Sequence, residues 1–68
     1  MALSARNHLN GEITEVILGT VTALITLKVG NNVVESVITR RSAEEMGLKK
    51  GDKVTAVIKA TEVMIQKS

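Results

Sequence analysis

Between Thr20 and Val29 the chain alternates. Val21, Ala23, Ile25, Leu27 and Val29 are apolar, Thr20, Thr22, Thr26 and Lys28 fall between them, and Leu24 is the one exception. A period of two, carried largely by β-branched residues, is a strand with one face in a core and the other in water. Gly30-Asn31-Asn32 comes next. Gly and Asn tolerate positive φ, so this segment reads as a hairpin turn, and Val33 to Thr39 as the returning strand. Upstream, Gly11 to Leu18 reads as a further strand that stops at Gly19.

Ser42-Ala43-Glu44-Glu45 has the form of a capping box, with Ser42 as N-cap and Glu45 three residues on. Met46-Gly47-Leu48 then supplies a glycine stop with an apolar residue beyond it. One short helical turn is expected over about 42–46. Lys49-Lys50-Gly51-Asp52 reads as a turn, Lys53 to Ala60 as a strand with Val54, Ala56 and Ile58 on one face, and Glu62 to Gln66 as a last short strand. The order is β-β-β-α-β-β. It predicts an all-β domain, a small five-stranded OB-like barrel with one helical turn between strands three and four. Closing the barrel would also deal with its edge strands.

The chain has 68 residues, enough for one domain over 1–68. A chain of this size buries only about 60% of its unfolded surface, and such chains usually recruit disulfides, a metal or further subunits. Cysteine is absent and there is one histidine, so neither a disulfide framework nor a protein-only zinc site fits. The apolar fraction is 44% with no aromatic ring, so Val, Ile, Leu and Ala do the packing. Self-association is the remaining supplement, with part of the apolar load facing another subunit.

Net charge is +2, from 9 basic and 7 acidic residues, which falls short of the dense positive field of a strong nucleic-acid binder. No stretch approaches a membrane span, and the N-terminus lacks the pattern of an export signal. A cytoplasmic location is expected, with neither a membrane nor a nucleic acid as partner.

The chemistry lies at the two chain ends. Ser4, Ala5, Arg6 and Asn7 bring a hydroxyl, a guanidinium, an amide and backbone N–H groups to the start of the first strand. Lys59, Ala60 and Thr61 bring an ammonium, a backbone N–H and a hydroxyl to the end of the fourth. Spacing alone favours a bland reading of both, as a solvated turn capped by Ser4 and a solvated lysine at a strand end. The alternative is an anion clamp, since donors gathered in one place call for a ligand that accepts on every side. His8 has no nucleophile or carboxylate beside it in sequence and reads as a surface residue. Met46 and Met64 read as core fillers. Arg40-Arg41 reads as a solvated pair, or one bridged to Glu44 and Glu45.

Three segments carry a resemblance. The S-A-R-N-x-L-x-G opening (Ser4 to Gly11), the I-T…S-A-E-E-M-G-L middle (Ile38 to Leu48) and the K-A-T-x-V-M-I close (Lys59 to Ile65) resemble the molbindins, small molybdate-binding proteins built from a Mop domain. The resemblance covers about Ser4 to Ile65. It implies that Ser4 and Arg6 are oxyanion ligands, that Lys59 contacts the oxyanion as a point charge, that Ala60 adds a backbone N–H and Thr61 a hydroxyl. It also places Thr39 where related domains use a threonine or serine. His8 stands where the family commonly has glutamine. The family implies a homo-hexamer, a trimer of dimers, with molybdate or tungstate at its interfaces. A Mop domain standing alone implies molybdenum storage or homeostasis, without catalysis.

A donor-only pocket has a chemical preference. Molybdate at neutral pH is a tetrahedral dianion without a proton. Phosphate is partly protonated, and its P–OH would face another donor and leave a buried polar group unpaired, at about 1–3 kcal/mol. Sulfate carries no proton either, so only pocket size can reject the smaller ion. Tungstate is nearly isosteric with molybdate and should bind alike.

Two rivals come from other classes. OB-folds bind single strands by stacking bases on aromatic side chains, which this chain lacks. Met46-Gly47-Leu48-Lys49-Lys50-Gly51-Asp52-Lys53-Val54 resembles a signature of AbrB-type swapped-hairpin DNA-binding regulators, over about a quarter of the chain. That match leaves both chain ends unexplained. No acid–base pair or nucleophile constellation marks an enzyme.

Overall fold

The computed structural model describes residues 3–68. Four strands, β1 (Asn7–Leu18), β2 (Thr22–Val29), β3 (Asn32–Thr39) and β4 (Lys53–Ile58), form one antiparallel sheet in the order β3-β2-β1-β4. A helix, α1 (Arg40–Met46), links β3 to β4, and a 3₁₀ turn, η1 (Ala60–Glu62), follows β4.

The alternation around residue 25 does what its period requires. Ala23, Ile25 and Leu27 are buried and, with Ile13 of β1 and Ala43 of α1, make the core. Val16, Val34, Ile38, Leu48, Val54 and Ala56 pack around it. The ends of the run depart from the pattern: Val21 precedes the strand and is 72% exposed. β2 and β3 pair from Val29 opposite Asn32 to Thr22 opposite Thr39, so Gly30-Asn31 is a two-residue turn. Gly30 has φ +59 and, among the described residues, no non-glycine residue has positive φ, the pattern of a type II′ hairpin.

β1 begins earlier than its apolar residues indicate, at Asn7 in place of Gly11, because its first half pairs with β4. Its second half pairs with β2, and the register slips between Ile13 and Glu15. Thr14 is the extra residue of this bulge, and its hydroxyl donates to the Thr26 carbonyl at 3.3 Å. A bulge bends and twists the strand that carries it, which lets one long strand serve both halves of a curved sheet. Gly11 sits where the halves meet. A Cβ there would lie 2.8 Å from the Lys28 carbonyl oxygen and 2.9 Å from Val29 Cγ2.

The helix starts two residues before its expected onset. Thr39, in place of Ser42, is the N-cap: its Oγ1 accepts from the Ser42 N–H at 3.0 Å and donates to the Ser42 hydroxyl at 2.8 Å. The stop is the expected one. Gly47 has φ +63, its N–H donates to the Glu44 carbonyl, and the Leu48 N–H donates to the Ala43 carbonyl, a Schellman arrangement. Arg40 pairs with Glu44 at 3.4 Å, one of the two outcomes expected of the arginine pair. The turn at Lys49–Asp52 closes with the Lys49 N–H on the Asp52 carboxylate at 3.0 Å.

The five-stranded barrel is not what forms. β4 ends at Ile58, and Glu62–Gln66 is not a strand. Two backbone bonds, Glu62 N–H to the Lys59 carbonyl and Val63 N–H to the Ala60 carbonyl, turn the chain away from β4 into η1. The sheet stays open, four-stranded and OB-like. Met46 and Met64 are not core fillers, at 66% and 93% exposed.

Candidate oxyanion site at the joined chain ends

The outer ends of β1 and β4 are in register, with Asn7 opposite Ile58 and His8 opposite Val57. The chain enters β1 and leaves β4 at one place. Arg6 and Lys59, the next residue on each side, therefore leave the sheet from the same end, with Ser4 and Ala5 preceding one and Ala60 and Thr61 following the other. Asn7 ties the two segments together, since its Nδ2 donates to the Ile58 carbonyl at 3.2 Å.

Each segment has a local reason for its shape. On the N-terminal side, His8 Nε2 lies 3.2 Å from the Ala5 carbonyl oxygen, a contact that tethers the Ser4–Arg6 turn to the first residues of β1. On the C-terminal side, Lys59 is extended, at φ −65 and ψ 141, and caps η1. The first residues of a helical turn have N–H groups that the turn itself cannot use. Ala60 and Thr61 hold those positions, ahead of the first bond at Glu62.

Ser4, Arg6, Lys59, Ala60 and Thr61 are exposed, while Ala5 and Asn7 are half-buried. Among the described residues the ion pairs are Arg40–Glu44 and Lys53–Glu12, so Arg6 and Lys59 hold their charges outside any ion pair. The neighbourhood thus gathers two cations, two hydroxyls and two turn-initial N–H groups. One carboxylate, Glu62, shares the turn. This set can coordinate an acceptor-only anion through charge-assisted hydrogen bonds. Side chains this exposed do not enclose an ion within one copy.

Thr39 is elsewhere. It pairs with Thr22, beside the Leu18–Ala23 pair, at the opposite end of the sheet from Asn7. β1 runs 12 residues between the two ends, on the order of 35 Å at about 3.3 Å per residue. Within one copy Thr39 does not join the other candidates. It borders a shallow concavity with Thr20, Val21, Arg40, Arg41 and Glu44.

Two features escaped the sequence reading. Asn7 serves the fold directly, with an amide hydrogen spent on Ile58, and His8, exposed as expected, also braces the Ser4–Arg6 turn. A cross-strand register would have exposed both, but it depends on how early β1 starts, and polar residues such as Asn7, His8 and Asn10 give no period to read.

A TOBE domain model matches residues 3–65. The chain is 46% identical over 66 residues to molybdenum-pterin-binding protein 1 of Clostridium pasteurianum, covering 96% of this chain and 97% of that protein. Its fold is similar to the molybdate-binding protein of Sporomusa ovata, at TM-score 0.94 and 39% identity, covering 98% of this chain and all of that one. It is also similar to MopII of Clostridium pasteurianum, at TM-score 0.89 and 43% identity, covering 97% of this chain and all of that one.

Proposed function

This chain belongs to the TOBE-domain family, in its molbindin branch, and from that premise we propose that it binds molybdate through the donors at its joined ends. The observation that supports the reading is the Asn7–Ile58 register, from which the segments Ser4–Arg6 and Lys59–Thr61 leave the sheet at one end. Arg6 supplies a planar fork of N–H donors and Lys59 a point charge. Ser4 and Thr61 add hydroxyls, and Ala60 and Thr61 add backbone N–H groups. Asn7 acts mainly by holding the two segments together.

The ligand lies between copies of the chain. Two observations support this: the exposure of the donors in one copy, and the separation of Thr39 from them along β1. A second copy presenting its Thr39 end to the Arg6–Lys59 end of the first would cover the anion and add a hydroxyl. The assembly is a homo-hexamer, a trimer of dimers, in the cytoplasm. Anion binding and assembly are then linked, each favouring the other. Several oxyanions per assembly make a store that buffers molybdenum, and no catalytic step is required. Tungstate binds as molybdate does. Phosphate is disfavoured by its proton, and sulfate by its size.

The names of several relatives refer to a molybdenum-pterin. A pterin ring is flat and aromatic and is held well by stacking, yet this chain has no aromatic residue to stack on it. The free oxyanion fits the donor set better. The swapped-hairpin DNA-binding reading is not favoured: Gly47 to Asp52 is occupied in stopping α1 and turning the chain into β4.

Titration calorimetry with molybdate, tungstate, sulfate and phosphate tests the proposal. Tight binding of the first two and weak binding of the others is expected. Equal affinity for all four would reduce the site to a non-selective basic surface.

A further inference from the structure

The turn that presents the C-terminal donors also carries an acid. Glu62 closes η1, its N–H donates to the Lys59 carbonyl at 2.9 Å, and it is exposed. The ion pairs among the described residues, Arg40–Glu44 and Lys53–Glu12, do not include it. Like Arg6 and Lys59, Glu62 holds its charge outside any ion pair. An acid early in a helical turn favours the turn itself, because it faces the free N–H groups. That is its plain structural role.

A charge also acts on a ligand that it does not touch. A 3₁₀ turn rises about 2 Å per residue, so Glu62 stands within a Debye length, about 8 Å at physiological ionic strength, of an anion held at Ala60 and Thr61. Attraction alone does not call for a carboxylate in that place. Selectivity does, because discrimination is often built from a repulsive group set among attractive ones.

We propose that Glu62 is a specificity-determining residue of the oxyanion site, which repels a bound anion in proportion to the anion's charge. The proposal rests on the site proposed above. Within one copy Arg6 and Lys59 bring two positive charges and Glu62 one negative. A tetrahedral dianion leaves this group with a net negative charge, whereas a monoanion of the same shape leaves it neutral. Coulomb energy follows the product of the charges. The carboxylate therefore lowers the affinity for the dianion by the square of the factor it imposes on the monoanion. Molybdate is held less tightly than the donors alone would hold it, and leaves faster. A store that must return its load needs that weakness.

Glu62→Gln removes the charge and keeps the shape, and Glu62→Asp keeps the charge. Molybdate and perrhenate are the probes, tetrahedral ions of nearly equal size that carry two charges and one. Molybdate is titrated by calorimetry at low and at physiological salt, perrhenate is read as its competitor, and native mass and thermal stability are followed on the same samples. In Glu62→Gln, molybdate should bind about 3- to 10-fold more tightly at low salt, and perrhenate by about the square root of that factor. The gain should shrink as salt rises, molybdate should dissociate more slowly, and Glu62→Asp should keep the ratio of the unmodified protein. No gain, or an equal gain for both ions at every salt concentration, would overturn the proposal and leave the site standing. A looser molybdate complex or a smaller assembly in Glu62→Gln would give Glu62 an attractive role between copies, and would overturn it as well. An unmodified protein that binds no molybdate would remove the site and this proposal together.

Discussion

Asn7 and Ile58 are 51 positions apart in the sequence, and the Asn7 side-chain amide donates to the Ile58 carbonyl at 3.2 Å. The bond closes the chain on itself at one end of the sheet. It holds together the two segments that carry the donors of the proposed oxyanion site. A replacement that removes it acts on both fold and ligand. Asn7→Ala is expected to cost about 0.5–1.5 kcal/mol of stability, the net worth of one hydrogen bond, and to weaken molybdate binding severalfold. Urea denaturation and calorimetry on the same variant measure the two effects. Full affinity in a destabilised protein would separate the staple from the site.

Arg6 and Lys59 are exposed and outside the core, so truncating them should leave the fold intact. Hydrogen bonds to charged groups are worth about 1.5–3 kcal/mol, so Arg6→Ala or Lys59→Ala should weaken molybdate binding by about 10- to 150-fold. Arg6→Lys should recover only part of the loss, since a point charge does not reproduce the guanidinium fork. Unchanged affinity in both alanine variants would remove these residues from the site.

Gly11 tests the fold without touching the ligand. A methyl group there would meet the Lys28 carbonyl and Val29 at less than 3 Å, and overpacking of this kind costs about 1–3 kcal/mol. Gly11→Ala should lower the urea midpoint by a corresponding amount. An unchanged midpoint would mean that β1 and the β2–β3 hairpin do not approach this closely.

Thr39 has two roles that can be taken apart. Its hydroxyl caps α1 within the copy, and the proposed assembly also turns it toward an anion held by a neighbour. Thr39→Ser keeps a hydroxyl for both, whereas Thr39→Ala should cost about 1 kcal/mol for the cap and weaken molybdate binding as well. If Thr39→Ala lowers thermal stability and leaves affinity unchanged, its role ends at the helix.

The central hairpin was legible because burial writes itself as period two: Ala23, Ile25 and Leu27 are the core, and Gly30 marks the turn. The helix stop was legible because Gly47 must take a left-handed conformation. Its start was not, since Thr39 and Ser42 are both capping residues and only the end of β3 decides between them. The early part of β1 was hidden by polar residues whose pairing with β4 leaves no apolar pattern. The last strand was expected from Val63, Met64 and Ile65, whose composition is that of a strand. In one copy the bonds of η1 turn these residues away from the free edge of β4, so no strand forms there. The proposed site was visible only as two donor-rich ends. That they meet follows from the β1–β4 register, and that Thr39 lies apart from them follows from the length of β1. Neither relation is written in local composition.

Native mass spectrometry of the protein titrated with molybdate tests the central claim most directly, because it counts copies and anions in one spectrum. The account predicts that molybdate is carried by oligomers in a fixed ratio to subunits, and that monomers released by dilution carry none. Monomers that retain molybdate as tightly as the assembly, or oligomers that bind none, would contradict it.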